Sequence, residues 1–208
     1  KERSAIAKFK VKDEDAYILA WTTTPWTLPS NVALCVHPDE RYVKVRMNGD
    51  GTVYYLAEAL ADTVLGEGAY TVLEAYTGRD LEYKEYEPLF AFVQPKEKCW
   101  YVVCDGYVTL TDGTGIVHIA PAFGEDDANV GLPLVQLVDS KGEMTKETPW
   151  AGMFCKKADK EVLRDLETRG LLFSAPVFEH SYPHCWRFGT PLIYYARDSW
   201  FIKMTEVK

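Results

Sequence analysis

Alternating apolar and polar side chains mark the first part of the chain as β-structure. Ala5, Ala7, Phe9 and Val11 occupy every second position, with Lys8 and Lys10 on the opposite side, which is the period of a half-buried strand. Residues 43–47 repeat this pattern and lead through the turn Asn48-Gly49-Asp50-Gly51 into residues 52–56. Because a glycine turn joins two alternating segments, the sequence predicts a β-hairpin here.

The remaining periodic segments predict further strands and two helices. Strands are expected at Tyr17–Trp21, Tyr70–Tyr76, Cys99–Cys104 and Ile116–Ile119. Helices are expected at Ala57–Leu65 and Ala158–Arg169, each followed by a glycine that ends it. Short strands with few helices favour an α+β, mainly β fold, in which a β-barrel or curved sheet carries peripheral helices.

The stretch from Trp21 to Asn31, WTTTPWTLPSN, interrupts the strand pattern. Pro25 and Pro29 lack a backbone N–H, so the chain cannot continue a regular β-ladder through them. Three consecutive threonines lie between two tryptophans at this break. A polar bend of fixed shape, lined by aromatic rings, is typical of a pocket for a small polar molecule.

Composition and charge narrow the choice of partners. The 208 residues are enough for one domain with a sizeable core. The net charge of −8 disfavours non-specific binding to a nucleic-acid backbone, although a pocket can still receive one nucleotide end. No apolar run reaches the roughly 20 residues of a membrane span. Since the chain has no initiator methionine, we expect a segment of a longer cytoplasmic protein.

The five cysteines are scattered and form no C-x-x-C pair. We therefore expect reduced, mostly buried thiols and no metal site.

A second candidate segment runs from Gly113 to Asp127. It places His118 on a strand and puts three acids beyond a Pro-Gly break. Each signal has an ordinary structural explanation. A lone histidine can be a neutral core residue, and acids in the first turn of a helix complement its dipole.

Together, the segments Trp21–Asn31 and Gly113–Asp127 closely resemble the two signature segments of the editing domain inserted in isoleucyl-tRNA synthetases. The segments His180–Arg187 and Thr190–Tyr195 are similar to the part through which that insert returns to the synthetase body. Valyl and leucyl editing domains differ from this chain by an arginine where it has Thr24. The valyl type also tends to carry a lysine in place of His118.

The resemblance implies the class I synthetase editing-domain fold, with residues 1–208 as one domain. Residues 1–12 and 176–208 would connect it to an absent catalytic body. The implied reaction is hydrolysis of valine wrongly attached to the isoleucine tRNA, and of valyl-adenylate as a further substrate. This is a known example of double-sieve editing, in which a second pocket accepts valine and excludes isoleucine by size.

The resemblance also implies roles for individual residues. Asp127 would pair with the substrate ammonium, and His118 would act as a size gate beside the amino-acid side chain rather than as a general base. Glu125 and Asp126 are expected to face solvent. The remaining assignments are Thr22, Thr23 and Thr24 as holders of the substrate and the attacking water, Trp21 as a cover for the adenine, and Asn31 as a ribose ligand or a brace of the bend.

Departures from the family pattern limit these implications. Phe188 stands where the family's return segment often has a second cysteine after Cys185, so a zinc site there would be incomplete. H-I-G-H and K-M-S-K-S strings are absent from the sequence, so amino-acid activation with ATP is expected outside this segment, which itself needs no cofactor.

Two other functions remain open from the sequence. One is a non-catalytic module that binds a tRNA end or a protein. The other is a thiol hydrolase built on Cys35 with His37 or His118, although no acid to orient the histidine is evident nearby.

Overall fold

A computed structural model describes residues 2–178, 184–200, 202 and 204–205. Its strands are β1 (Glu2–Arg3), β2 (Ala5–Lys10), β3 (Tyr17–Thr22), β4 (Ala33–Val36), β5 (Arg41–Met47), β6 (Val53–Ala57), β7 (Tyr70–Thr77), β8 (Tyr101–Cys104), β9 (Ile116–Ile119), β10 (Leu172–Ser174) and β11 (Val177–Phe178). Its α-helices are α1 (Ala61–Leu65), α2 (Gly78–Leu81), α3 (Glu125–Asn129) and α4 (Cys155–Thr168). Two 3₁₀ turns cover Pro25–Ser30 and Glu58–Leu60.

Nine strands form one sheet, in the order β7-β5-β6-β3-β9-β4-β8, with β2 on β3 and β10 on β2. β1 and β11 form a separate antiparallel pair. The large sheet curls into a half-barrel, which confirms the mainly β fold with peripheral helices.

Strand β3 has two different parallel neighbours along one edge. Its first residues, Tyr17 and Ile18, pair with β6, and Trp21 pairs with Val117 of β9. Its other edge pairs with β2 over six residues. The strand that leads into the threonine bend is therefore held on both sides.

The predicted elements agree well with the structure. The hairpin of β5 and β6 forms, and α4 begins three residues before the expected position. The helix expected at residues 57–65 is a 3₁₀ turn followed by the short helix α1, which ends at Gly66. The apolar stripe of α4, Val162, Leu163 and Leu166, packs into the main core under the sheet.

The return segment is described only in part, because His180, Ser181, Tyr182 and Pro183 lie outside the described residues. Its later part packs onto a second apolar cluster through Ile193 and Tyr195. The division into a domain core and connecting segments stays a prediction. Within the part of the chain that the structure describes, no helix is long and apolar enough to cross a membrane.

Candidate active site

The threonine bend forms where β3 ends. Thr22 Oγ1 accepts a hydrogen bond from the Thr24 amide at 3.1 Å, which turns the chain out of the sheet. Pro25 then begins the 3₁₀ turn, where its missing N–H and fixed φ are no disadvantage. The prolines thus end the strand as the sequence predicts.

A cavity of about 240 Å³ opens between this bend, β9 and the start of α3. It is lined by Trp21, Thr22, Thr23, Thr24, Thr27, Tyr107, Val117, His118, Ala120, Phe123 and Asp127. Two segments nearly a hundred residues apart therefore meet at one concave surface. All the predicted site residues except Asn31 line this cavity.

His118 is a buried, neutral residue at the cavity wall. Its Nε2 lies 2.9 Å from Thr27 Oγ1, and Thr27 Oγ1 in turn donates to the Thr24 carbonyl at 2.8 Å. Because the threonine proton is used there, the ring proton belongs on Nε2, which donates to Thr27. Burial lowers the pKa of His118 to about 4, so the ring is uncharged near neutral pH.

Nδ1 of His118 is buried and has no hydrogen-bond partner among the described residues. The ring thus presents a lone pair and apolar edges, and it is poorly suited to accept a proton at neutral pH.

Asp127 is a partly buried carboxylate held by neutral donors. The Ala120 amide donates to Oδ2 at 2.8 Å, and the Tyr107 hydroxyl lies 3.5 Å from Oδ1. Burial is the largest influence on its pKa and raises it, against the opposing effect of these two donors. A carboxylate in this state gains from any positive charge brought next to it. The neighbouring Glu125 and Asp126 are exposed, as predicted.

The ring of Trp21 packs against the backbone of Gly113. Gly113 has φ +71°, and a Cβ on it would lie 2.7 Å from the Trp21 ring. Only glycine combines this conformation with so close an approach. The glycine turn before β9 therefore fixes one face of the cavity wall.

Asn31 lies outside the cavity lining. Its Nδ2 donates to the Ala33 carbonyl at 2.7 Å, and its Oδ1 accepts from the Tyr86 hydroxyl at 2.7 Å. The side chain is buried, and these two bonds tie the end of the bend to β4. This geometry matches the bracing alternative.

Sequence reasoning assigned no role to Thr27, Tyr107 and Phe123. Thr27 lies three residues after Thr24, with Pro25 between them. At this spacing a threonine hydroxyl can donate to the carbonyl of the earlier residue, so the sequence did contain a signal for the contact between Thr27 and Thr24. Tyr107 lies in a loop without periodicity, and nothing in its sequence context points to Asp127.

Cys35, the thiol of the alternative hydrolase, is not an activated nucleophile. All five are free, and only Cys35 and Cys155 are fully buried, so the expectation of mostly buried thiols is wrong. Burial raises the pKa of Cys35 to about 12, which leaves its thiol protonated and weakly nucleophilic. Across residues 2–178 and the described part of the return segment, no group of three or more metal-binding side chains occurs.

Comparison with known proteins gives matches over the whole chain. It is 54% identical over 214 residues to the isoleucine–tRNA ligase of Clostridium novyi, and 53% identical to that of Clostridium acetobutylicum. Each match covers 100% of this chain and 20% of the relative, so the chain spans about a fifth of the length of these relatives. No family model matches.

Solved structures share the fold at low identity. The crystal structure of GlLeuRS-CP1 has a TM-score of 0.70 at 16% identity and covers 86% of this chain and 100% of its own. The editing domain of the Plasmodium falciparum cytosolic leucyl-tRNA synthetase has a TM-score of 0.66 at 11% identity, covering 85% of this chain and 100% of its own. The chain is thus homologous along its whole length to one segment of the isoleucine–tRNA ligases, and it has the fold of the class I synthetase editing domains.

Proposed function

We propose that this chain hydrolyses valine from mischarged isoleucine tRNA, and that valyl-adenylate is a second substrate. The observation that carries the proposal is that one cavity joins a hydroxyl-rich bend, a buried neutral histidine and a partly buried carboxylate. An aminoacyl ester offers one partner to each of these three: its ribose hydroxyls to the bend, its amino-acid side chain to the histidine, and its ammonium to the carboxylate.

Asp127 binds the substrate ammonium. The hydrogen-bond partners of its carboxylate are neutral donors, and burial raises its pKa. The charged form of Asp127 is therefore only weakly stabilised by the protein, and a bound cation would stabilise it further. The Ala120 amide fixes the direction of the carboxylate. The ammonium contact then sets where the adjacent ester carbonyl lies.

His118 limits the size of the amino-acid side chain. Its hydrogen bond to Thr27 fixes the ring plane, and its lowered pKa keeps it neutral, which suits an apolar neighbour. A rigid wall can accept valine and overlap with the extra methylene of isoleucine. The same low pKa argues against a role as general base.

The threonine bend orients the ester and the attacking water. Thr22, Thr23 and Thr24 all line the cavity beside Trp21, whose ring offers a stacking surface for the adenine. Water adds to the ester carbonyl, the bond to the ribose oxygen breaks, and that oxygen takes a proton to leave free valine and uncharged tRNA. Because an aminoacyl ester is already activated, orientation and hydrogen bonding can suffice.

The partners follow from the same proposal. The tRNA enters with its 3′ end, since a net charge of −8 disfavours a broad nucleic-acid surface on this chain. The rest of a synthetase would cover the return segment, where the large side chains Trp186, Phe188 and Trp200 are exposed. The expected cytoplasmic location and the use of ATP by another domain belong to this proposal as well.

The test measures release of valine from mischarged isoleucine tRNA by this chain and, in parallel, by a full-length isoleucine–tRNA ligase that carries it. Asp127→Ala should lower the rate at least tenfold, because the ammonium loses its partner. Asp126→Ala is the matched control, since that acid is adjacent and exposed. Wild-type rates for Asp127→Ala would contradict the assigned role.

A companion variant, His118→Ala, should begin to release isoleucine from correctly charged tRNA. If that variant still spares isoleucine, the size gate lies elsewhere. A non-catalytic binding module would instead show no hydrolysis in any variant and no preference for valyl over isoleucyl adenosine analogues.

A further inference from the structure

The 3₁₀ turn of the threonine bend is capped by a side chain from a distant helix. Its own cap residue, Thr24, makes no side-chain cap hydrogen bond, and Pro25 has no N–H to offer. The first free amide of the turn is that of Trp26. It donates to Asp159 Oδ1 at 2.8 Å, and Asp159 lies on α4, 133 residues further along the chain.

Helix α4 is a firm support for this contact. Its stripe of Val162, Leu163 and Leu166 is buried in the main core, while Cys155 and Ala158 belong to the apolar cluster around the Trp26 ring. The turn and the helix therefore meet through apolar packing and a charge-assisted hydrogen bond. The acid is partly buried at this junction.

The capped amide lies between the two threonines that hold the cavity wall. The Thr27 amide and hydroxyl both bond to the Thr24 carbonyl, at 3.0 Å and 2.8 Å. The same Thr27 oxygen is hydrogen-bonded to Nε2 of His118. A shift of the Trp26 amide would therefore move the threonine that orients the histidine.

We propose that Asp159 is a positioning residue of the cavity, which fixes the Thr24–Thr27 turn, and through it His118, by accepting the Trp26 N–H. Asp159 is not among the residues that line the cavity, so it acts through the turn. The inference deepens the proposed function and rests on it for its effect on catalysis. The hydrogen bond itself can be tested without catalysis.

The kinetic test compares Asp159→Ala with Asp159→Asn, which keeps an acceptor oxygen without the charge. Asp159→Ala should lower kcat for valyl ester hydrolysis about tenfold and reduce the preference for valine over isoleucine, because small displacements of active-site groups lower the reaction rate strongly. KM should change less, since Asp127 and Trp21 are untouched. Asp159→Asn should stay within about threefold of wild type, because its carbonyl oxygen can still accept the N–H.

Asp165→Ala is the matched control, because this carboxylate lies on the same helix and pairs at the surface with Arg169. It should leave rate and selectivity unchanged. Retained selectivity in Asp159→Ala would overturn the proposal. Equal losses in Asp159→Ala and Asp159→Asn would also overturn it, because the charge rather than the hydrogen bond would then be responsible.

A second measurement covers the case in which Asp159→Ala does not fold. As the pH is lowered, the ¹H and ¹⁵N shifts of the Trp26 amide in the wild-type protein should show a step from the protonation of Asp159 that Asp159→Asn lacks. An unresponsive Trp26 amide would refute the contact. If the wild-type protein hydrolyses no ester, the proposed function fails, whereas this titration still decides whether Asp159 holds Trp26.

Discussion

His118 Nε2 and Thr27 Oγ1 lie 2.9 Å apart, so one hydrogen bond joins β9 to the turn that follows β3. Both groups are buried, and the threonine oxygen also bonds to the Thr24 carbonyl. The shape of the cavity wall thus depends on a pair of residues that the sequence separates by 91 positions.

Replacing Thr27 with valine should loosen this wall at nearly constant volume. The variant leaves Nε2 of His118 without its partner, which we expect to lower the free energy of unfolding by about 1–3 kcal/mol. Urea denaturation measures that loss, and release of isoleucine from its tRNA measures the wider gate. Thr148→Val is the control, since Thr148 is also buried and bonds to the carbonyl three residues earlier. A similar loss of selectivity in both variants would contradict the role of Thr27.

The stability of the protein should depend on the protonation of His118. Burial lowers the pKa of this residue to about 4 in the folded state, while an unfolded histidine titrates near 6.5. Between these values the unfolded chain binds a proton that the folded chain does not. The free energy of unfolding therefore falls as the pH drops from about 6.5 to about 4, by about 3 kcal/mol for this group.

His118→Gln removes the titrating group and should flatten this part of the pH dependence. Urea denaturation of both proteins at neutral pH and near pH 4.5 gives the comparison. The difference between variant and wild type should change by about 2–3 kcal/mol between the two conditions. An unchanged difference would mean that His118 does not titrate on unfolding in this range.

Tyr107→Phe should raise the pKa of Asp127 further. The tyrosine hydroxyl is one of the two donors that oppose the effect of burial on this carboxylate. The acid limb of the pH–rate profile should move to higher pH, and binding of a valyl-adenosine analogue near neutral pH should weaken by up to about tenfold. Carboxyl ¹³C shifts report the pKa directly. Tyr101→Phe is the control, and equal profiles for the two variants would count against the contact.

Gly113→Ala should displace the Trp21 ring. The added Cβ meets that ring at 2.7 Å, and φ is +71°. Gly51→Ala separates the effect of the backbone conformation from that of the clash with the ring, since Gly51 has φ +76° with nothing within 4 Å of its added Cβ. Both variants should lose about 1–2 kcal/mol for the left-handed backbone. Only Gly113→Ala should also shift tryptophan fluorescence and weaken nucleoside binding, and unchanged fluorescence would show that the ring does not depend on the glycine.

The sequence predicted the two strands that carry the site, β3 and β9, because each is a short run rich in apolar residues with a proline a few residues beyond its end. It also identified the threonine bend, His118 and Asp127, which lie within long motifs. The contacts that orient them were not predictable. Asp159 resembles any other acid on the polar face of an amphipathic helix, and Tyr107 reaches Asp127 only through the curl of the sheet.

Asn31 illustrates a different limit. Its residue type suits both a ribose contact and an internal brace, and only the positions of Ala33 and Tyr86 distinguish them.

The divided edge of β3 has a consequence for how the protein folds. β6 and β9 both follow β3 in the sequence, β9 much later than β6, and they occupy different halves of this edge. Neither the local hairpin nor the later strand can complete the edge alone, and closing such long loops is slow. The cavity should therefore form late in refolding, and a partly folded chain that already contains the hairpin should have no capacity to bind the substrate.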